Sequence, residues 1–415
     1  LHHLAQAAVG QNHHRVTPAV GQLEGLRGEI VHFLDGGRGQ YDQAIIPVPA
    51  ALDGLEVVAL RGGDIPETGP AAASESPVGK HVGDFSLRDF RGKQYSLSDY
   101  SDRQVVVLAF LGTECPLAKL YGPLLERMHI ELAKQGVAFI GVSSNTQDSI
   151  TELAAYRQRH GITFPLLKDL GNKVADAFGA VRTPEVFVLD KDRKIRYWGR
   201  IDDQYSIGIQ RDKPTKEDLR VALGQVLAGK EVSSSVTEAV GCYIGRVQTV
   251  KPRGEITYSK HIAPIFNRRC VECHRPGQVA PFPLTSYADT EGWGETIAEV
   301  IRDQRMPPWN ANPKYGHFKN DARLTEDEKK LVHTWIDNGM PEGDRADLPA
   351  PPRFAKGWRI SEPDQVVYIR DEPFKVPAEG VVDYQYFTVD PGFKEDKYVV
   401  AAECRPGNRA VVHHI

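Results

Sequence analysis

The chain of 415 residues is short of sulfur, with five Cys and three Met. So few thiols exclude a disulfide-dense scaffold, in which cross-links stand in for a core too small to fold alone. Long apolar runs are missing as well. The longest, VVVLAFLG at 105–112, falls far short of the roughly 20 residues that span a bilayer and fits a buried strand. No charge of one sign prevails either. Lys and Arg number 51 against 55 Asp and Glu, a formal charge of -4, so nothing attracts nucleic acid or an anionic membrane in general. Residues 1–79 have no Lys, Cys, Met or Trp. Their Gly, Ala, Pro and His content predicts a leader or poorly ordered extension, in which His2, His3, His13 and His14 read as a polar tail. There is no initiator Met and no basic, apolar, small-residue signal pattern, so export is not legible at this end.

What is present falls into blocks, and the length predicts about three domains at roughly 150 residues each. Two short alternating runs flank Arg91-Gly92 in GDFSLRDFRGKQYSLSDY, the composition of a hairpin turn. A buried strand is expected at 105–111, a helix at 117–134, a strand at 137–143 and a helix at 149–159. A short helix at 173–178, strands at 184–190 and 194–201, and a helix at 216–228 follow. This order predicts a central sheet covered by helices on both faces. Past a Ser-rich linker at 229–241, helix signals recur at 258–269, 295–304 and 325–338. The last, LTEDEKKLVHTWIDNG, has a Thr cap, Glu at the third following position and Gly just past its end. A Pro-rich boundary at 341–357 precedes alternating runs that predict the start of a β-sandwich, with too few strands to close one.

Three places carry chemistry. Cys115, in FLGTECPLAK, follows a buried strand and opens a helix, whose unpaired N–H groups and positive end favour a thiolate. The plainer alternative is a buried apolar thiol. Residues 80–242 resemble the thioredoxin and peroxiredoxin superfamily, with Thr183-Pro184 in the place of that family's cis-proline loop. The resemblance implies a thioredoxin-like α/β fold with Cys115 as its redox thiol. The pattern departs from the family: Cys115-Pro116-Leu117-Ala118 lacks the second cysteine of Cys-x-x-Cys, and Thr113 stands two residues ahead of the cysteine instead of three. Cys242 is the thiol available to resolve Cys115 or to bridge it.

The stretch NRRCVECHRPG holds Cys270, Cys273 and His274. This spacing suits covalent haem, with two thioether bonds and an axial His. Zinc wants a second ligand pair, and a redox disulfide has no need of the His. Met306, ahead of Pro307-Pro308, offers a thioether as sixth ligand; alternatively it fills the core, and His317 or His333 takes that place. Trp293, Trp309 and Trp335 are expected to pack around the porphyrin. Residues 255–345 resemble the cytochrome c-like domains of multidomain bacterial proteins. The resemblance implies an all-α domain carrying haem c for electron transfer, and an export route to the periplasm or envelope where haem is attached. Finally, His413 and His414 end the chain after a sheet-like run. Residues 358–415 resemble the opening of the copper type II, ascorbate-dependent monooxygenase family, which implies a first pair of copper ligands with the rest beyond Ile415. The expectation is therefore an exported multidomain redox protein whose haem transfers electrons and supplies a copper monooxygenase module, with a small-molecule or protein redox partner; the alternatives are a thiol reductase or peroxidase centred on Cys115 with the haem as electron partner, or a non-catalytic redoxin docking module.

Overall fold

A computed structural model describes residues 6–10, 76–248, 251–309, 311, 313–318, 320–355, 357–377, 382 and 385–412. The elements below belong to one compact unit, residues 1–17 with 77–415. β1 (Gln6–Gly10) comes first. β2 (Ser86–Asp89) and β3 (Gln94–Ser96) form the expected hairpin. The Asp89 carboxylate closes its turn by accepting the N–H groups of Arg91 and Lys93 at 2.8 and 2.9 Å. Then come β4 (Val105–Phe110), α1 (Pro116–Leu132), β5 (Val137–Ser143), α2 (Ile150–Arg159) and β6 (Leu166–Lys168). α3 (Lys173–Phe178), β7 (Arg182–Thr183), β8 (Glu185–Leu189) and β9 (Ile195–Gly199) follow, and after the small hairpin of β10 (Tyr205–Ser206) and β11 (Ile209–Gln210) comes α4 (Asp218–Leu227).

Seven strands make one sheet in the order β3-β2-β6-β5-β4-β8-β9. β4 pairs in parallel with β5 and antiparallel with β8. Every residue of β4 and β5 is buried, because helices cover both faces and alternate side chains enter different cores. Val105, Val107 and Ala109 meet Tyr121, Leu125, Leu153 and Leu223 from α1, α2 and α4. Val106, Leu108 and Phe110 meet Val174 and Phe178 from α3. On that face Phe110, Phe178 and Phe187 contact one another edge to face, with ring centroids 5.1 to 5.9 Å apart. This is the thioredoxin-like α/β layering that the sequence predicts.

After the linker, β12 (Cys242–Tyr243) pairs antiparallel with β7 and sets Cys242 opposite Thr183. A helical segment follows: a π-helical turn at Tyr258–Ile262, then α5 (Ala263–Arg269), α6 (Gly294–Arg302) and α7 (Glu326–Asp337). The single helix expected at 258–269 is thus two pieces, since Pro264 has no N–H with which to continue an α ladder from the preceding turn. Thr325 caps α7 through reciprocal bonds with Glu328 at 2.8 and 3.1 Å. Trp335, fully buried, is the centre of this core between Tyr258 and Phe266. Beyond residue 357 the described residues hold β13 (Gln365–Tyr368) and β14 (Ala401–Arg405), each antiparallel to β1. With β1 they form one three-stranded sheet, and Tyr386, Tyr398 and Val400 are exposed.

Candidate functional site

Cys115 is the N-cap of α1, with an extended backbone (φ -66°, ψ 119°) and Pro116 just inside the helix. Proline loses nothing there, because the first helical N–H groups have no partner within the helix. The N–H of Ala118, in that first turn, favours the thiolate form of the sulfur. Cys115 is only 1% exposed, and its Sγ donates as a thiol to the Thr183 carbonyl at 2.9 Å. Burial pushes this thiol up. The side chain and N–H of Cys242, the N–H of Ala118 and the hydroxyl of Thr183 outweigh burial and bring it down to about 6.

Ahead of the cysteine, Thr113 is tied by its N–H and its hydroxyl to the Asp148 carboxylate, at 3.0 and 2.9 Å. Ser143 and Asn145 donate to the same buried carboxylate, whose pKa burial raises against those bonds. Sequence reasoning missed Asp148. Its only signal was a dense polar run, SSNTQDS, directly after a buried strand.

The Thr183–Pro184 peptide is cis. Glu185, a second residue missed, lies buried beneath this loop, where it accepts the N–H groups of Val181 and Arg182 (2.6 and 3.0 Å) and Trp198 Nε1 (2.5 Å). Its pKa is raised by burial. The role of Glu185 is positional: it holds the backbone that faces Cys115. On the other side β12 lays Cys242 against the loop. The Cys242 thiol is pushed well above its usual value by the Cys115 sulfur beside it and by burial. Gly241 makes this approach possible, for its φ is +153° and a Cβ there would stand 2.0 Å from the Thr183 carbonyl oxygen. Cys115 and Cys242 are unbridged.

In the helical segment Cys270 is the C-cap of α5, and its carbonyl accepts the N–H groups of Cys273 and His274 at 3.1 and 2.9 Å. One turn therefore carries both thiols and the imidazole. Burial pushes the Cys270 thiol up to about 12, whereas Cys273 is exposed. His274 Nδ1 bonds the Phe282 carbonyl at 3.0 Å, and burial lowers the pKa of the ring. A neutral imidazole oriented through Nδ1 presents Nε2 for coordination. Phe282 in turn stacks on Trp293, with centroids 3.8 Å apart. Among the described residues no three His, Cys, Asp or Glu side chains gather as a metal site would need.

Met306, 40% exposed, lines a cleft of about 460 Å³ with Ile301, Trp309 and Leu324. Arg269, the neighbour of Cys270, is in its wall, but His274 is not, so Met306 and His274 do not share this cavity. Trp309 Nε1, in the cleft, and Arg275 Nε, next in sequence to His274, are buried donors without partners. Carboxylates of a bound group would satisfy them. Two thiols on one turn beside an imidazole are the donor set that a covalent haem would use. His317 is exposed and His333 half-buried. His413 and His414 lie outside the described residues, and Cys404 is exposed on β14.

A helix-capping cysteine that faces a cis-proline loop at the end of a helix-covered sheet defines a thioredoxin-like redoxin. Residues 78–198 match the AhpC/TSA family. The chain is 31% identical over 119 residues to the thiol-disulfide oxidoreductase ResA of Geobacillus thermodenitrificans, covering 29% of this chain and 67% of that protein. It is also 31% identical over 126 residues to a chloroplastic peroxiredoxin Q of Oryza sativa subsp. indica, covering 29% and 57% respectively. A crystal structure of a hypothetical protein from Sinorhizobium meliloti is similar at 30% identity and a TM-score of 0.40, covering 42% of this chain and 97% of that one. Through this module the chain belongs to the AhpC/TSA family, and it is an oxidoreductase. Cys242, Cys270, Cys273 and His274 lie outside the matched residues.

Proposed function

We propose that the chain is an exported redox protein whose redoxin module performs thiol–disulfide exchange at Cys115. The observation that supports this is the placement of Cys115, at the head of α1 against the cis Thr183–Pro184 peptide, among donors that favour its thiolate. The thiolate attacks a disulfide of a protein or small molecule, forms a mixed disulfide and releases the other sulfur as a thiolate. Dithiothreitol-driven reduction of insulin by the full chain tests it. Turnover is expected to vanish in Cys115→Ser; turnover equal to wild type would overturn the reading.

A second centre is favoured by the bond from His274 Nδ1 to the Phe282 carbonyl, which orients a neutral ring for a metal. In this proposal Cys270 and Cys273 would hold a c-type haem as thioethers, His274 and Met306 would ligate its iron, and Arg275 or Trp309 would donate to a carboxylate of it. Bound haem supplies one-electron storage. Its attachment outside the cytoplasm would place the protein in the periplasm or envelope. A visible spectrum and pyridine haemochrome test on protein made with the attachment machinery checks this; absence of covalent haem overturns it. Loss of a sulfur-to-iron band in Met306→Ala identifies the sixth ligand. By resemblance alone, the haem would supply a copper monooxygenase centre begun by His413 and His414. Hydroxylation that persists with His274 replaced would end that part of the proposal.

A further inference from the structure

The redoxin module lacks the usual second cysteine beside Cys115, yet release of a mixed disulfide takes a second thiol, from the protein or from solution. We infer that Cys242, on the strand that leaves the redoxin module, is the built-in disulfide partner of Cys115. This rests on the reading of Cys115 as a redox thiol and deepens it.

Three observations converge. First, β12 pairs antiparallel with β7, Cys242 opposite Thr183, while the Cys115 sulfur lies 2.9 Å from the carbonyl of that same Thr183. Both residues are thus gathered at one peptide, and Cys242 packs against the core that contains Cys115. Second, the approach is built in. Gly241 stands where any Cβ would strike the Thr183 carbonyl at 2.0 Å, and the Arg182 guanidinium clamps the strand, bonding the Gly241 carbonyl at 2.8 Å and lying 4.2 Å over the Tyr243 ring. Beyond it, the Gly245 N–H donates to Asn145 at 3.0 Å, and its carbonyl accepts from Thr146 at 2.8 Å. Third, Cys115 shares its core with Cys242 and with no other cysteine among the described residues: Cys270 caps a helix of the next segment, Cys273 follows it, and Cys404 lies on β14. An extended, cysteine-bearing segment added to an exposed strand by main-chain pairing is also how a polypeptide substrate would be presented to Cys115. The chain's own strand occupies that edge.

The exchange balances without a further reagent. The Cys115 thiolate attacks a substrate disulfide, and one substrate sulfur leaves as a thiolate. Cys242, losing its proton to that leaving thiolate or to solvent, attacks the Cys115 sulfur of the mixed disulfide and expels the second substrate sulfur. One Cys115–Cys242 disulfide forms as one substrate disulfide becomes two thiols.

The test treats the reduced full-length protein with oxidised glutathione and maps disulfides by peptide mass spectrometry. Wild type is expected to yield Cys115 linked to Cys242, with a loss of two thiols and little glutathione retained on Cys115. Cys242→Ala and Cys242→Ser are expected to trap glutathione on Cys115, at least tenfold more than wild type. Wild-type protein that keeps glutathione on Cys115 with no link to Cys242 would overturn the inference while leaving Cys115 a redox thiol. A Cys115 that stays unmodified in wild type and in both variants would overturn the thiol reading itself. The wild-type arm stands even where a variant fails to fold.

Discussion

Cys115 owes its acidity to donors from separate stretches of chain: its own helix through Ala118, the loop through Thr183, and β12 through Cys242. The thiols of Cys242, Cys270 and Cys273 are all pushed the other way, chiefly by burial or by the neighbouring sulfur. A thiolate signal near neutrality therefore reports Cys115. Measured by ultraviolet difference absorbance against Cys115→Ser, it is expected to persist down to about pH 6 and to disappear below. In Cys242→Ala the loss moves to higher pH, because a side-chain donor to the thiolate has gone and only the N–H of residue 242 remains. Asp148 acts on the same loop from behind. Removing its carboxylate in Asp148→Ala strands the donors of Thr113, Ser143 and Asn145, at an expected cost of about 2–3 kcal/mol for buried groups left unpaired. Urea unfolding measures it.

At the scale of elements, the buried strands were the most legible part of the sequence. β5 and α3 occupy the expected positions 137–143 and 173–178, since an unbroken apolar run and a short amphipathic one each leave few alternatives. α1 begins at Pro116, one residue before the expected start, and so places Cys115 at its cap. The pairing of β7 with β12 could not be read. Each strand has two residues, too few for any periodicity, and their register is set by tertiary contacts across a long loop. The same limit hid Asp148 and Glu185, polar residues whose burial depends on what packs over them. Two substitutions test how the elements are held. Phe187→Ala, which opens a hole between Phe110 and Phe178, is expected to cost about 3–5 kcal/mol in urea unfolding. Thr325→Ala, which removes only the cap of α7, is expected to cost about 1 kcal/mol.

At the scale of the whole described unit, the redoxin module and the helical segment meet along a seam. Arg182 pairs with Glu299 at 3.0 Å, and the Tyr243 N–H donates to Thr296 at 3.1 Å. Cys242 packs against both hydrophobic cores. At Gly245 a Cβ would stand 1.9 Å from Gln147 Oε1 and 2.7 Å from the Gly292 carbonyl, so a methyl group there must displace the backbone of the helical segment as well as the Gln147 side chain. Gly245→Ala is expected to speed amide hydrogen exchange at 242–247 at least tenfold, while β4 and β5 keep their protection; unchanged exchange there would show that the seam tolerates the methyl group. The position of Cys242 also bears on how such a protein is taken apart in the laboratory. A fragment trimmed at residue 198, where the family match ends, would keep Cys115 but discard Cys242, which favours its thiolate and is its inferred disulfide partner. On the pairing inferred above, such a fragment would hold a weaker acid that retains its mixed disulfides, and assays on it would describe a reagent the intact chain does not present.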